Sequence, residues 1–228
     1  MELNMERPTK EQVSRLPLYV GLSLADIDII ETELDAVNAL KELETEICLG
    51  FDTESKPIFR KGQTSPGPTL IQLATATKAF LFPTKFPFAI STAKAILCNP
   101  NIQKVGFGLK GDKKELRNKL SIDIVNTQDL SVELKNLVGD KDLIGARVAV
   151  AMVLKSRLGK GRGLRGQTGH NTHFSNIKYY MQRMMLIQLF VLKIIVWLRI
   201  ILLTVDGNLN SGLLKSQSNR REFCEKKA

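Results

Sequence analysis

Residues 47–55 of the chain read ICLGFDTES, an apolar run that ends in two carboxylates. The apolar residues recur at a period of two, which is typical of a β-strand with one buried face. They are Ile47, Leu49 and Phe51. Asp52 and Glu54 are also two residues apart, so the strand should direct both carboxylates to one face. An unpaired acid beside an apolar strand is costly, which indicates that these two carboxylates have a partner.

The spacing of Asp52 and Glu54 is suited to binding a divalent cation. Two carboxylates side by side repel each other unless a cation lies between them. Hard oxygen ligands of this kind suit Mg²⁺ or Mn²⁺. The alternative is an ordinary solvated strand edge, because an Asp-x-Glu pattern also arises often by chance.

Two neighbouring stretches add polar groups to the same region. TLIQLAT (69–75) and KAFLFP (78–83) predict a β-hairpin, in which Gln72 is a polar residue within an apolar run. KVGFG (104–108) predicts a strand, and GDKKELRNKL (111–120) a helix with Asp112 in its first turn. Asp112 could instead serve the helix N-terminus electrostatically. Three acids at strand ends of one sheet together favour a two-metal phosphodiesterase site.

The remaining elements predict an α/β fold with a mixed sheet flanked by helices. The helix over 33–44 has apolar residues at helical spacing, namely Leu34, Val37, Leu40 and Leu43. Further strands are predicted at IDIIET (27–32) and SIDIVNT (121–127), and further helices at FAISTAKAILCN (88–99), QDLSVELKNLV (128–138) and LIGARVAVAMVLKSRLG (143–159). Residues 1–24 are predicted to be a polar N-terminal lead-in.

The motifs resemble those of a known enzyme family. LGFDTESKP (49–57), GPTLIQLAT (67–75) with AFLFP (79–83), and KVGFGLKGDKKEL (104–116) are similar to the first two motifs of the DEDD superfamily of 3′–5′ exonucleases. The branch they resemble is RNase D-like and Werner-exonuclease-like. The resemblance covers residues 25–165, which we interpret as an incomplete exonuclease domain, and it implies a ribonuclease H-like fold.

The resemblance also implies an activity and a set of site residues. Asp52, Glu54 and Asp112 would be the catalytic residues and the ligands of two Mg²⁺ or Mn²⁺ ions, and Glu54 would help to position the attacking water. The substrate would be the 3′ end of DNA or RNA, with nucleoside 5′-monophosphates as products and no small-molecule cofactor. Candidate contacts to the nucleic acid are Lys56, Arg60, Lys61 and Gln72, although a solvated loop also explains the basic residues of 56–61.

The third motif of the family is absent from the sequence. That motif, Tyr-x-x-x-Asp on a late helix, supplies the fourth carboxylate and a tyrosine that orients the water. Here Tyr179 is followed four places later by Arg183, and no aspartate lies between Asp142 and Asp206. The histidine variant of the motif fails as well, because neither His170 nor His173 is followed by an acid at the required place. The resemblance therefore implies impaired catalysis in this chain.

A displaced reading frame from about Gly166 explains the missing motif. Read with the frame displaced, codons for QTGHNTHF (167–174) permit NWAQYPL, and codons for 175–192 permit a string that resembles the third motif. Residues 166–228 would then be an out-of-frame tail. Its apolar stretch Met184–Val205 is long enough to cross a bilayer but contains two cations, Lys193 and Arg199. We favour a by-product of the frame over a membrane helix.

Sequencing the gene across the Gly166 codon tests the displaced frame. We expect an insertion or deletion near that codon relative to intact relatives. An uninterrupted frame with no nearby insertion or deletion would contradict the hypothesis.

Charge and cysteine content limit the other classes of function. Residues 143–228 contain 15 Lys and Arg but 3 Asp and Glu, so the whole excess of the +10 net charge lies there. Such asymmetry favours an anionic partner, nucleic acid or a membrane surface. The basic run 155–165 could follow a phosphate backbone or be a solvated helix end. The rival functions are a catalytically inactive nucleic-acid-binding remnant and a membrane-tethered protein.

Three scattered cysteines are too few for a disulfide framework. The polar N-terminus lacks the apolar core of a secretory signal. Both features predict a cytoplasmic protein. The sequence says nothing about the oligomeric state.

Overall fold

The computed structural model describes residues 6–55, 62 and 64–159. The strands are β1 (Ile27–Ile29), β2 (Cys48–Ser55), β3 (Pro68–Ala74), β4 (Ala79–Pro83), β5 (Gln103–Gly106) and β6 (Thr127–Asp129). The helices are α1 (Lys10–Arg15), α2 (Glu33–Leu43), α3 (Pro87–Leu97), α4 (Lys110–Leu120), α5 (Leu130–Val138) and α6 (Ala146–Leu154).

The described strands form one mixed sheet of six strands in the order β1-β4-β3-β2-β5-β6. β2, β3 and β4 form an antiparallel meander, as the hairpin motif predicts. The pairs β1–β4, β2–β5 and β5–β6 are parallel. β2 therefore lies inside the sheet, with an antiparallel neighbour on one side and a parallel neighbour on the other. The predicted α/β class with a mixed sheet is confirmed.

One face of the sheet packs against α2 and α3. Leu49 and Phe51 are buried there, as the strand pattern predicts, whereas Ile47 is 72% exposed because it precedes the strand. The predicted buried face of α2 is partly wrong. Leu34 and Val37 are 68% and 47% exposed, and the buried residues are Ala36, Ala39 and Leu43. Small alanine side chains let the helix lie close to its neighbours, which apolar spacing alone does not predict.

The other face of the sheet is covered as well. Strand side chains that point away from the core formed with α2 and α3, including those of Leu81 and Val105, are also buried. α5 contacts β5, and α5 and α6 contribute the buried residues Leu130, Leu134, Ala149 and Val150. Strands covered on both faces read as continuous apolar runs, which is the pattern of β3 and β4.

The predicted polar lead-in, which is mostly exposed, contacts the rest of the fold at a few points. Thr9 caps α1 in a reciprocal capping box with Gln12. Arg7 forms an ion pair of 2.6 Å with Asp140. Further on, Leu18 pairs with Arg157 in an isolated parallel bridge. Residues 7–19 therefore lie against the two ends of the segment that contains α6.

Two predicted element boundaries are wrong for the same reason. The strand predicted over 121–127 begins only at Thr127, because Ser121 and Asn126 adopt positive φ angles of 54° and 50°. The helix predicted over 143–159 ends at Leu154, because Lys155 has a φ of 48°. Left-handed backbone at a non-glycine residue breaks both helix and strand, and composition gives no sign of it.

The tail predicted over 166–228, including its apolar stretch 184–205, lies outside the described residues. Within the described ranges, no helix has the length and apolar character needed to span a membrane.

β5 contains a lysine that is completely buried. The Lys104 ammonium donates hydrogen bonds of 2.7 Å to the main-chain oxygens of Asn99 and Ile102. Burial disfavours the charged form and lowers the pKa of Lys104 to about 8. The carbonyl partners make this position tolerable for a charge without removing the desolvation cost.

Because Lys104 is buried, we expect the free energy of unfolding to increase with pH in the alkaline range. Between about pH 8 and the ordinary lysine pKa of about 10.4, the unfolded chain binds a proton that the folded chain has lost. Over that window the free energy of unfolding should rise by at most about 1.4 kcal/mol per pH unit. Lys104→Met should abolish this rise, as measured by urea unfolding from pH 7 to pH 10. Lys94→Met, at an exposed position on α3, is the control, and identical pH slopes in all three proteins would contradict the prediction.

Candidate active site

The carboxylates of Asp52 and Glu54 share one face of β2 near its end. Asp52 lies directly opposite Gln72 of β3, and Glu54 lies opposite Leu70. Both acids are partly buried. The register shifts between Glu54 and Ser55, and such an irregularity redirects the chain and its side chains at the strand end. The strand thus presents both acids at the point where regular pairing stops.

Asp112 reaches the same strand from α4. Its carboxylate accepts a hydrogen bond from the hydroxyl of Thr53, the residue between the two strand acids. Side chains alternate along a strand, so Thr53 points to the face opposite that of Asp52 and Glu54. The Thr53 main-chain N–H also donates to the Asp52 carboxylate at 2.8 Å. Thr53 therefore connects the acid of α4 to β2.

Asp129 positions the loop from which α4 begins. Its carboxylate accepts hydrogen bonds from the backbone N–H groups of Gly108 and Leu109, both at 2.9 Å. It also caps α5 by accepting from the N–H of Ser131 at 3.0 Å. One side chain at the end of β6 thereby joins the start of α4 to the start of α5, and Asp112 lies in the first turn of α4.

Gly106 allows β5 to approach β2 beside the acids. A Cβ at this position would lie 2.4 Å from the main-chain oxygen of Phe51 and 2.6 Å from the Leu109 side chain. Both distances are shorter than real contacts, so a side chain here would push apart the end of β5 and the residue that precedes Asp52.

The environment of Asp112 disfavours its charged form. Burial raises the pKa of Asp112, the hydrogen bond from Thr53 partly offsets this, and the charge of Asp129 raises it further. A carboxylate with a raised pKa in this setting gains more from a nearby cation than an exposed one does. Perturbed acids of this kind concentrate at functional sites.

Gln72 is fully buried beside Asp52. Among the described residues, neither its amide nitrogen nor its amide oxygen has a hydrogen-bond partner. An unpartnered buried polar group costs about 1–3 kcal/mol. A direct contact between Gln72 and nucleic acid, as predicted, does not fit this burial. The Gln72 amide instead lies in the protein interior, on the strand position opposite the candidate metal ligand Asp52.

The residues fit a divalent cation in chemistry, although the described residues do not form a complete cage. Asp52, Glu54 and Asp112 supply the oxygen donors that Mg²⁺ and Mn²⁺ prefer, and the unpartnered amide of Gln72 makes their surroundings polar. Within the part of the chain that the structure describes, no group of three or more His, Cys, Asp or Glu side chains is arranged to hold a metal ion. The Asp112 carboxylate accepts its hydrogen bond from Thr53, which points to the opposite face of β2 from Asp52 and Glu54. This contact keeps Asp112 apart from those two acids.

Several predicted site residues lie outside the described residues. These are Lys56, Arg60 and Lys61 of the basic loop and the residues compared with the third motif, including Tyr179 and Arg183. Their predicted roles stay predictions.

Sequence reasoning missed Thr53 and Asp129. Asp129 had a usable signal, because an aspartate just before a helical run is a preferred N-cap. It was placed inside the predicted helix 128–138 instead. Thr53 had no signal, since its contact with Asp112 joins residues 59 positions apart.

A comparison with protein families agrees with the motifs. A family model described as 3′–5′ exonuclease matches residues 27–143, just over half of the chain. The match includes Asp52, Glu54 and Asp112. The chain belongs to this family of hydrolases, and the predicted membership of the DEDD superfamily is confirmed.

Solved structures show the same fold. The catalytic core of Rrp6 from Trypanosoma brucei matches with a TM-score of 0.64 and 20% identity, covering 86% of this chain and 56% of that chain. Escherichia coli RNase D matches with 0.58 and 19%, covering 76% and 44%. Trypanosoma brucei RNase D, in a complex with RNA U12, matches with 0.56 and 15%, covering 77% and 63%.

These likenesses confirm the predicted ribonuclease H-like fold. The chain spans about half to two thirds of the three solved chains. A comparison with curated proteins found no significant match.

Removing the buried amide of Gln72 should stabilise the fold. Gln72→Leu replaces two unpartnered polar atoms with an apolar group of similar size, so the free energy of unfolding should rise by about 1–3 kcal/mol. Urea unfolding measures this change. Gln128→Leu on β6 is the matched control, because Gln128 is partly exposed and its replacement should change stability by less than about 0.5 kcal/mol. A loss of stability specific to Gln72→Leu would show that the amide is hydrogen-bonded in the folded protein.

Proposed function

We propose that the chain removes nucleotides from the 3′ ends of DNA or RNA with Asp52, Glu54 and Asp112 as its catalytic acids, and with reduced efficiency. The observation that supports this most is that all three acids lie within the residues matched by the exonuclease family. The hydrogen bond from Thr53 to Asp112 ties the start of α4 to the strand that carries the other two acids, on the opposite face of that strand. The ligand of Trypanosoma brucei RNase D, RNA U12, supports a nucleic-acid strand as substrate.

The proposed reaction is hydrolysis of the terminal phosphodiester. Two divalent ions, when bound, would neutralise charge on the scissile phosphate and make a bound water more acidic. Asp52 and Asp112 would act as oxygen ligands. Glu54 would serve as a ligand and orient the attacking water. The water oxygen forms a bond to phosphorus as the bond to the 3′ oxygen breaks, which yields a nucleoside 5′-monophosphate and a shortened strand with a free 3′ hydroxyl.

The proposed impairment follows from the missing fourth acid. The sequence has no aspartate between Asp142 and Asp206, so the late motif that completes the family's site is lacking. One metal position would then lose a ligand, and the attacking water would lose a partner that orients it. A catalytically inactive nucleic-acid-binding remnant is the extreme form of the same proposal.

Activity measurements on isosteric variants test the assignment. The native chain should shorten a 5′-labelled single-stranded oligonucleotide slowly in Mg²⁺ or Mn²⁺ and not in EDTA. Asp52→Asn should reduce the rate by at least about 100-fold, because it removes a charged ligand without changing the shape of the side chain. Glu115→Gln is the control on α4, since the Glu115 carboxylate accepts a hydrogen bond of 3.0 Å from Ser65.

The possible outcomes separate the two forms of the proposal. Equal rates for the native chain and Asp52→Asn would overturn the assignment of Asp52. No hydrolysis, together with binding of the oligonucleotide by the native chain, would identify the inactive nucleic-acid-binding remnant. Comparison of oligo(U) with oligo(dT) of the same length determines the preference for RNA or DNA.

A further inference from the structure

A basic groove lies along α4, the helix that carries Asp112. It has a volume of about 530 Å³ and lies between α4 and the residues of β6. Four of its lining residues are cationic, namely Lys110, Lys113, Lys114 and Arg117.

The four cations share one face of α4 because of their spacing. Positions 110, 113, 114 and 117 follow the i, i+3, i+4, i+7 pattern of one helix face. The two acids of the helix point elsewhere, since Asp112 accepts from Thr53 and Glu115 accepts from Ser65. α4 therefore separates its charges, with one face towards the candidate site and a cationic face towards the groove.

The described lining residues include four cations and one acid, Asp129, so the lining keeps an excess of positive charge. The Asp129 carboxylate accepts hydrogen bonds from three backbone N–H groups. Arg117 pairs with Asp123, and Lys113 donates a hydrogen bond of 3.1 Å to Thr127. Lys110 and Lys114 are exposed, and within the described part of the chain neither forms an ion pair. These two lysines are the charges that an anionic ligand would meet first.

We propose that the groove between α4 and β6 binds the sugar-phosphate backbone of the nucleic-acid strand upstream of the 3′ end held at the acids. This inference rests on the proposed function for the identity of its ligand. The basic row runs about 10 Å along the helix axis, so a strand that follows α4 would meet successive cations with its phosphates.

Charge reversal at the two exposed lysines tests the groove. The full-length chain, Lys110→Glu/Lys114→Glu and the control Lys41→Glu/Lys94→Glu are compared by fluorescence anisotropy with labelled U12 and dT12 in EDTA, which prevents hydrolysis. The control carries the same change of net charge at exposed positions on α2 and α3. Thermal unfolding followed by circular dichroism shows whether all three proteins are folded.

We expect the groove variant to bind about tenfold more weakly at 50 mM salt and the control to bind within about twofold of the native chain. The slope of log Kd against log salt should become shallower by about 1.4 in the groove variant, since each phosphate contact on a single strand contributes about 0.7.

The groove proposal would be overturned if the affinity and the salt slope of Lys110→Glu/Lys114→Glu were unchanged. An equal loss of affinity in the control Lys41→Glu/Lys94→Glu would overturn it as well, and so would the absence of binding by the native chain. Failure of the proposed function is distinguishable from these results. If the native chain hydrolyses no oligonucleotide while the groove variant specifically loses binding, the groove proposal is supported and the proposed exonuclease activity is contradicted. If the native chain hydrolyses the substrate and all three proteins bind it equally, the groove alone fails.

Discussion

The position of β2 between an antiparallel and a parallel neighbour determines the rest of the candidate site. Pairing with β3 places Gln72 opposite Asp52, and pairing with β5 brings Gly106 against the main chain of Phe51. The chain leaves β5 at this point and enters α4 a few residues later, so Asp112 arrives beside Thr53. A different neighbour for β2 would leave its two acids in place and remove the third.

The candidate site is built from groups that reduce the stability of the fold. Gln72 is buried without a partner among the described residues, and burial raises the pKa of Asp112. Each feature costs free energy in a protein whose net stability is small. Asp129 offsets part of this cost, because its carboxylate accepts three backbone hydrogen bonds and anchors two helices. Asp129 thus holds the backbone around the site, and a cation near the buried Asp112 carboxylate would stabilise its charged form.

Local sequence patterns predicted most of the helices and strands and the three candidate acids. They failed where contacts between distant segments determine which residues are buried. The hairpin of β3 and β4 follows from alternation within a short segment, and so does the strand that carries Asp52 and Glu54. The predicted buried face of α2 was partly wrong, because alanines pack inward while Leu34 remains exposed. Gln72 is a polar residue in an apolar run, as the sequence shows, but its complete burial depends on which faces of the strand are covered, and the composition of a strand does not show this.

The chain's own order of residues was sufficient for the family and the fold class, and it predicts three candidate acids, because each of these depends on spacing within one strand or one helix. Alternation at a period of two puts Asp52 and Glu54 on one face in any sheet. The contact of Thr53 with Asp112, the anchoring by Asp129 and the cationic groove beside α4 depended on folding. Each joins segments that are distant in the chain, and their approach is set by strand order and by the absence of a side chain at Gly106.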